Sequence, residues 1–322
     1  MASCYRIIKA TCIVINLIMH TLLLVMNYAA NNRSGILFGN NSIGNMARKY
    51  SIEFTPAPLA FEIWELINAW TSVWIIYSLT HIFRTSVPDV LPPMFFVCFS
   101  LATVSNIAWT QLMSWEIIQP TTGFVFALMA FLYVTLLCSY AGLYKQRDHI
   151  GRLDFWIVQL LVNNGIAVYA TWVTVAALRS LSLNMTYFHG IKQELSASIV
   201  LGILALLTLI WFILENTLLK KHLLYTLTIY PVSIWVLAAC VIFNFDRVAP
   251  VNRAIIQALL AMSCTFYMEK ICRLIWCAVQ MRRDTQAVDG LEMSPASYHQ
   301  NTEQKYTHRV EDHNQGCHDT RS

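Results

Sequence analysis

Residues 10–30 read ATCIVINLIMHTLLLVMNYAA, 21 residues without one Asp, Glu, Lys or Arg. An α-helix rises about 1.5 Å per residue, so about 20 mostly apolar residues cross the hydrocarbon core of a bilayer. Arg6 and Lys9 precede the run, as in a secretory signal. Its apolar length nevertheless exceeds the roughly 7–15 residues of a signal core, which predicts an uncleaved first span. Seven further apolar runs follow at about 58–83, 93–113, 121–144, 155–181, 195–216, 223–243 and 254–279. The last is the weakest, because Glu269, Lys270 and Arg273 interrupt it. The expected fold is all-α: a polytopic membrane helix bundle of about eight transmembrane helices over 1–281, with a polar, disordered cytosolic tail over 282–322.

Composition agrees. The chain is 57% hydrophobic and 12% charged, against about 45–50% and about 25% in soluble domains. Residues 282–322 hold 12 of the 40 charged side chains, leaving a body too poor in charge to cover a soluble surface. A soluble enzyme, a disordered protein and a nucleic-acid binder are excluded as the main reading. The net charge of +4 is too small to argue for a polyanionic partner. The nine cysteines include no C-x-x-C pair and suggest no disulfide framework. Cys4, Cys272 and Cys277 are candidates for palmitoylation near a cytosolic surface.

Orientation follows from two patterns. With the N-terminus inside, the inner segments carry ten Lys and Arg residues and the outer loops six, the sense of the positive-inside rule. The glycosylation acceptors N-x-S/T at Asn32, Asn40 and Asn184 all fall in loops on the outer side of that arrangement. Both termini are therefore expected in the cytosol, and the protein in the plasma membrane or an endomembrane.

All ten tryptophans lie in the apolar runs. Trp115, Trp156 and Trp276 fit an interfacial aromatic belt. Trp64, Trp109 and Trp172 lie deeper. Trp64 shares a helical face with Asn68 and Thr71; Asn106 and Trp109 are neighbours on one face; Gly165, Tyr169, Trp172 and Ala176 form a stripe. Such a stripe lets helices approach closely, or it floors a cavity walled by indoles and suited to a flat apolar ligand. Both readings stay open on spacing alone.

The segment 54–68, FTPAPLAFEIWELIN, resembles the proline-rich approach to the second helix in the translocator-protein family, also called tryptophan-rich sensory or peripheral-type benzodiazepine-receptor proteins. Residues 42–50, SIGNMARKY, resemble its longer branch. NIAW at 106–109 matches the family's N-x-A-W, and Tyr169, Trp172 and Ala176 match its Y-x-x-W-x-x-x-A. Arg179 and Ser180 stand where the family has Leu-Asn, and Glu62 and Glu65 where small residues are common. The resemblance covers about residues 7–181, with 195–279 forming three additional helices. It implies a five-helix bundle binding porphyrins, sterols or synthetic aromatic ligands, in transport, sensing or scaffolding. Carried over by position, the ligand-binding candidates are Pro58, Phe61, Trp64, Asn106, Trp109, Tyr169, Trp172 and Ala176.

Ionisable groups in membrane spans are functional candidates by default. Glu62 and Glu65 follow Pro58 in the first helical turns, where the positive helix end favours acids. Glu269 and Arg273 are spaced i,i+4, the favoured order for a helix pair. These four are the candidates for charge coupling. Glu215 is read as an interfacial partner of Lys220 and Lys221, Arg179 as a snorkelling cation, and His20 as a hydrogen-bonded core histidine. No catalytic triad, phosphate-cradling loop or metal-ligand spacing is present in the spans, so neither catalysis nor a metal site is predicted. The sequence thus predicts a multi-pass membrane protein binding a planar, porphyrin- or sterol-like ligand as carrier or sensor, with no cofactor required. The alternatives are a secondary transporter coupled through intramembrane carboxylates, or a heptahelical signalling receptor. Expected partners are the bilayer and a small hydrophobic ligand, with a homodimer left open.

Overall fold

A computed structural model of the chain describes residues 2–31, 49–84, 88–244 and 248–292. Among them every regular element is helical. The helices are α1 (Ala2–Asn31), α2 (Ile63–Phe83), α3 (Pro93–Ser114), α4 (Ile118–Lys145), α5 (Arg152–Tyr187), α6 (Gln193–Asn216), α7 (Ile229–Asn244) and α8 (Pro250–Glu292). Counting the 3₁₀ turn Pro58–Glu62 with α2, seven are long and apolar enough to cross a membrane; α7 is shorter, with 16 residues. The all-α membrane bundle expected from the hydrophobic runs is the fold observed.

Prolines place several helix starts. Pro93 and Pro250 open α3 and α8, where a missing N–H costs nothing because the first turn has no intrahelical acceptor for it. Ala57, forced out of the helical region by the proline after it, sits at φ −52°, ψ 148° and caps the 3₁₀ turn.

The bundle forms around α5, which packs against α2, α4, α6 and α7 and is buried along most of its length. It is not a plain α-helix. Residues Val158–Asn163 form a π-helical turn, which frees main-chain groups for partners outside the helix. The indole N–H of Trp70 donates to the Leu161 carbonyl at 2.9 Å. Gly165, one turn later, lies against that same indole: a Cβ there would stand 2.7 Å from Trp70 Cδ1. At this end of the glycine–alanine stripe, close helix packing is the reading the structure supports.

Three boundaries differ from expectation. The run 223–243 is helical only from Ile229. A one-turn helix, Lys220–Leu223, and a non-helical link at 224–228 precede it. That link lies on the π-turn. Asn164 Nδ2 donates to the carbonyls of Gln159 (2.8 Å) and Tyr225 (2.9 Å), and its Oδ1 accepts from Leu227 N–H at 2.7 Å. Thr228 Oγ1 donates to the Asn164 carbonyl at 3.0 Å, and Thr226 Oγ1 meets Gln159 and Tyr140. The weakest predicted span, α8, is the longest helix and continues through 282 to Glu292, into the expected tail. Residues 293–322 lie outside the described residues, as do Asn32 and Asn40. Asn184 lies inside the last turn of α5 rather than in a loop, and its amide donates to Thr122 Oγ1 and the Gln119 carbonyl.

The interrupting charges of α8 have partners. Glu215 on α6 is 1% exposed and pairs with Lys270, also 1% exposed, and with Arg273 at 3.7 Å. Tyr230 O–H donates to the other Glu215 oxygen at 2.8 Å, and Lys270 also donates to the Leu223 carbonyl at 3.2 Å. Arg273 reaches Glu269 at 3.1 Å, so two acids face two cations. Glu215 is thus buried and paired across helices with Lys270 and Arg273, where the sequence suggested Lys220 and Lys221 as interfacial partners. Its true partners lie one helix pair away, which no local spacing reveals.

Candidate functional site

Three helices bring their aromatic residues to one place. Trp64 comes from α2, Trp109 from α3 and Trp172 from α5. Trp64 is the hub, with ring centroids 5.9 Å from Trp109, 5.9 Å from Tyr169 and 6.2 Å from Trp172. Phe61, in the 3₁₀ turn, meets the Trp172 edge at 5.7 Å. Most of these pairs are near-perpendicular, the edge-to-face arrangement favoured by the ring quadrupole. Beneath them Asn106 Nδ2 donates to Tyr169 O–H at 2.7 Å, a buried bond linking α3 to α5.

A cleft opens beside this cluster, lined by Pro56, Phe61, Trp64, Trp109, Met113, Trp172, Val175, Ala176, Arg179, Ser180 and Leu183. Counted with its open mouth the space is about 530 Å³, but the cavity itself is about 30 Å³. That is room for about two waters. The cleft as it stands is closed to a porphyrin or a sterol. It opens to one only by movement of its walls.

Residues 49–57 roof it. Ile52, Phe54 and Pro56 are buried. Tyr50 packs edge-on against Tyr187 at 5.2 Å, and Tyr187 O–H donates to the Ser51 carbonyl at 3.2 Å. Asn252 on α8 donates to Glu53 at 2.6 Å. Lys49 pairs with Glu116 at 2.6 Å in the tight α3–α4 turn, where Glu116 adopts φ 60°. Hydrogen bonding to that carboxylate raises the Lys49 ammonium above its ordinary pKa. On the flank, Ala57 N–H donates to the Ala239 carbonyl and Trp235 N–H to the Ala60 carbonyl, so α7 braces the 3₁₀ turn.

Of the eight ligand-binding candidates, Phe61, Trp64, Trp109, Trp172 and Ala176 line the cleft. Asn106 and Tyr169 lie under its aromatic wall. Pro58 is exposed and does not line it; Pro56 takes that place, because the extended residue between the two prolines turns them in different directions. Arg179 lines the cleft, and sequence reasoning passed it over as a snorkelling cation. Its position one helical turn after Ala176 was the available signal. Glu62 and Glu65 are exposed and form no ion pair among the described residues. They stand apart from Glu269 and Arg273, so the four coupling candidates do not form one site. His20 bonds Ser72 at 2.9 Å across α1 and α2, as a core histidine does.

Polar satisfaction in the cleft is incomplete. The indole nitrogens of Trp64, Trp109 and Trp172 are buried without a hydrogen-bond partner, as is Arg179 Nε. Buried donors are normally paired, and each one left unpaired costs about 1–3 kcal/mol. The buried indole nitrogens of Trp74 and Trp211, away from the cleft, are likewise without a partner, so this does not set the cleft apart.

The family described as TSPO-like protein matches residues 13–271, through α6 and α7 and into α8, so the resemblance does not stop at residue 181. No curated protein sequence and no solved structure matches the chain. With an all-helical membrane bundle and a family match over most of its length, this chain belongs to the TSPO-like protein family.

Proposed function

We propose that this membrane protein binds a flat hydrophobic ligand, porphyrin- or sterol-like, in the indole-walled cleft, as a carrier or sensor. One observation carries this reading: Trp64, Trp109 and Trp172 converge from three helices on an apolar cleft with their N–H groups unpartnered. The small closed volume means that ligand entry parts the indoles, so bound ligand changes their fluorescence. A location in the plasma membrane or an endomembrane, with both termini cytosolic, belongs to the same reading.

The test pairs a ligand titration with a melting curve for each Trp→Phe variant. Trp64→Phe, Trp109→Phe and Trp172→Phe are expected to weaken porphyrin or sterol binding about three- to tenfold, the scale of one lost indole contact of about 0.5–1.5 kcal/mol. Trp276, 61% exposed, is the control whose replacement leaves affinity unchanged. Trp235 does not serve as one, because its bond to Ala60 supports the 3₁₀ turn at the cleft. Unchanged affinity in all variants, with melting temperature falling only for the cleft residues, reduces the cluster to packing.

The address is tested by enzymatic deglycosylation of the expressed protein. A gel-mobility shift is expected, and it should vanish when Asn32 and Asn40 are both replaced by Gln. Asn184 lies inside α5 with its amide already donating to Gln119 and Thr122 of α4, so that residue contributes nothing to the shift. A chain without glycan and confined to mitochondria contradicts the secretory address.

A second reading, a coupled transporter, draws on the Glu215–Lys270–Arg273–Glu269 cluster. Its acids and cations offset one another, which favours a structural role. Proton-dependent uptake in vesicles that disappears in Glu215→Gln but persists in Glu62→Gln would favour coupling instead.

A further inference from the structure

Two helices stop short on one side of the bundle. At the other side α5, α6 and α8 stand together: Ser182 meets Ser196 at 2.6 Å, and Ser198 donates to Asn252 at 2.7 Å. From there α6 ends at Asn216, α7 begins only at Ile229, and the link between them is pinned inside the bundle. Asn164 of α5 holds the Tyr225 carbonyl and the Leu227 N–H, while Lys270 of α8 holds the Leu223 carbonyl. α5 and α8 continue past the link. Arg152 precedes Asn164, and Arg282 follows Lys270, by the same length of helix. At 1.5 Å per residue both arginines lie about 18 Å beyond the link. That is close to the hydrocarbon depth of one leaflet, half of about 30 Å.

The faces that α6 and α7 leave uncovered are apolar. On α5, Trp156 packs on Tyr225 of the link at 4.9 Å, and Leu160 and Leu153 share that face and are exposed. On α8, Trp276 lies about one turn after Arg273 and Met281 about three turns after Lys270, beside the face that meets α6, and both are exposed. Beyond these walls the recess has a basic rim of exposed Arg152, Arg282 and Arg283. The described acids of that side already have cations: Asp89 has Lys9, Asp148 has Arg147, and Asp154 has Arg84. A slot that is apolar over one leaflet and cationic at headgroup depth has the profile of an acidic phospholipid. Basic pockets between spans receive such headgroups, and the guanidinium fork matches a phosphate with two parallel hydrogen bonds.

We propose that the recess between α5 and α8, beyond the 224–228 link, holds one anionic phospholipid. Its acyl chains run along Leu160 and Trp276, and its phosphate meets Arg152 and Arg282. The lipid occupies the space that α6 and α7 leave open and ties the ends of α5 and α8 together. A zwitterionic lipid fits the same slot, but its own cation offsets the phosphate and it is held less tightly. The site is separate from the indole-walled cleft, whose α5 lining begins at Trp172.

The experiment titrates purified full-length protein in detergent with dioleoylphosphatidylglycerol or dioleoylphosphatidylcholine and reads bound lipid by native mass spectrometry. One phosphatidylglycerol per chain is expected, bound at least about tenfold more tightly than phosphatidylcholine, the scale of one charge-assisted hydrogen bond. Arg152→Gln and Arg282→Gln should each remove most of that preference while leaving phosphatidylcholine binding unchanged. Both side chains are exposed, so the two variants should melt with the wild type in lipid-free detergent. Arg6→Gln is the control: it is as exposed, on α1, which packs against α2 and α3, and should leave the preference intact. Leu160→Trp, which fills the slot, should weaken both lipids. Equal binding of the two lipids to the wild type overturns the proposal. So does a preference lost as fully in Arg6→Gln as in the other two, which reduces it to diffuse surface charge, or a lipid-free dimer, which gives the uncovered faces to a second copy.

Discussion

Lys270→Met should lower the stability of the protein more than any other single change considered. The substitution leaves Glu215 buried, with Tyr230 and a 3.7 Å contact to Arg273 as its remaining polar support, and strips the Leu223 carbonyl of a donor. Removing one member of a buried ion pair typically costs about 3–5 kcal/mol, because the survivor keeps its desolvation penalty. An apparent melting temperature lower by roughly 5–15 °C in detergent is the expected reading. The double variant Glu215→Met with Lys270→Met should recover most of the loss, because Arg273 retains Glu269. If Lys270→Met alone melts within about 1 °C of wild type, the pair contributes nothing to holding α8 against α6.

Asn164→Leu is the second large effect. Leucine fills nearly the same volume but removes the donor to Gln159 and Tyr225 carbonyls and the acceptor for Leu227 N–H. Interhelical side-chain hydrogen bonds in membranes average only about 0.6 kcal/mol. Here, however, main-chain groups lose their partner, and each such loss costs about 1–3 kcal/mol. A total near 2–4 kcal/mol is expected, seen as a melting temperature lower by about 5–10 °C and faster proteolysis of the 224–228 link. Wild-type melting with an intact link would show that this contact is incidental.

How much of this was legible beforehand depends on the range of the interaction. The eight helices were readable because length and apolarity are local properties: 93–113 predicts Pro93–Ser114 almost to the residue. Trp64, Trp109 and Trp172 were readable because motif and spacing put each on the inner face of its helix. Pairings across helices were not. Nothing near Glu215 announces Lys270, 55 residues later, and the basic pair at 220–221 offered a nearer partner. The π-turn was hidden for a related reason. Gln159, Asn163 and Asn164 are polar residues scattered in an apolar run, and their sense depends on a link 61 to 64 residues downstream. Arg179 was read as a cation near a helix end that reaches for water; it is half-buried, lines the cleft and donates to the Tyr50 carbonyl, 129 residues earlier, which no local spacing reveals.

The polar notch in α5 also bears on biogenesis. Gln159, Asn163 and Asn164 leave the ribosome some sixty residues before Tyr225, Thr226 and Leu227, which complete their hydrogen bonds. Hydrocarbon offers no substitute for those partners in the interval. The nascent fifth helix has Ser139 of α4 for Asn163, but nothing yet for Asn164 except its own carbonyls. The polar pairing of α5 is therefore complete only once α6 has been made and the link folds back. A chain halted before residue 224 would carry these amides without the partners that the 224–228 link supplies.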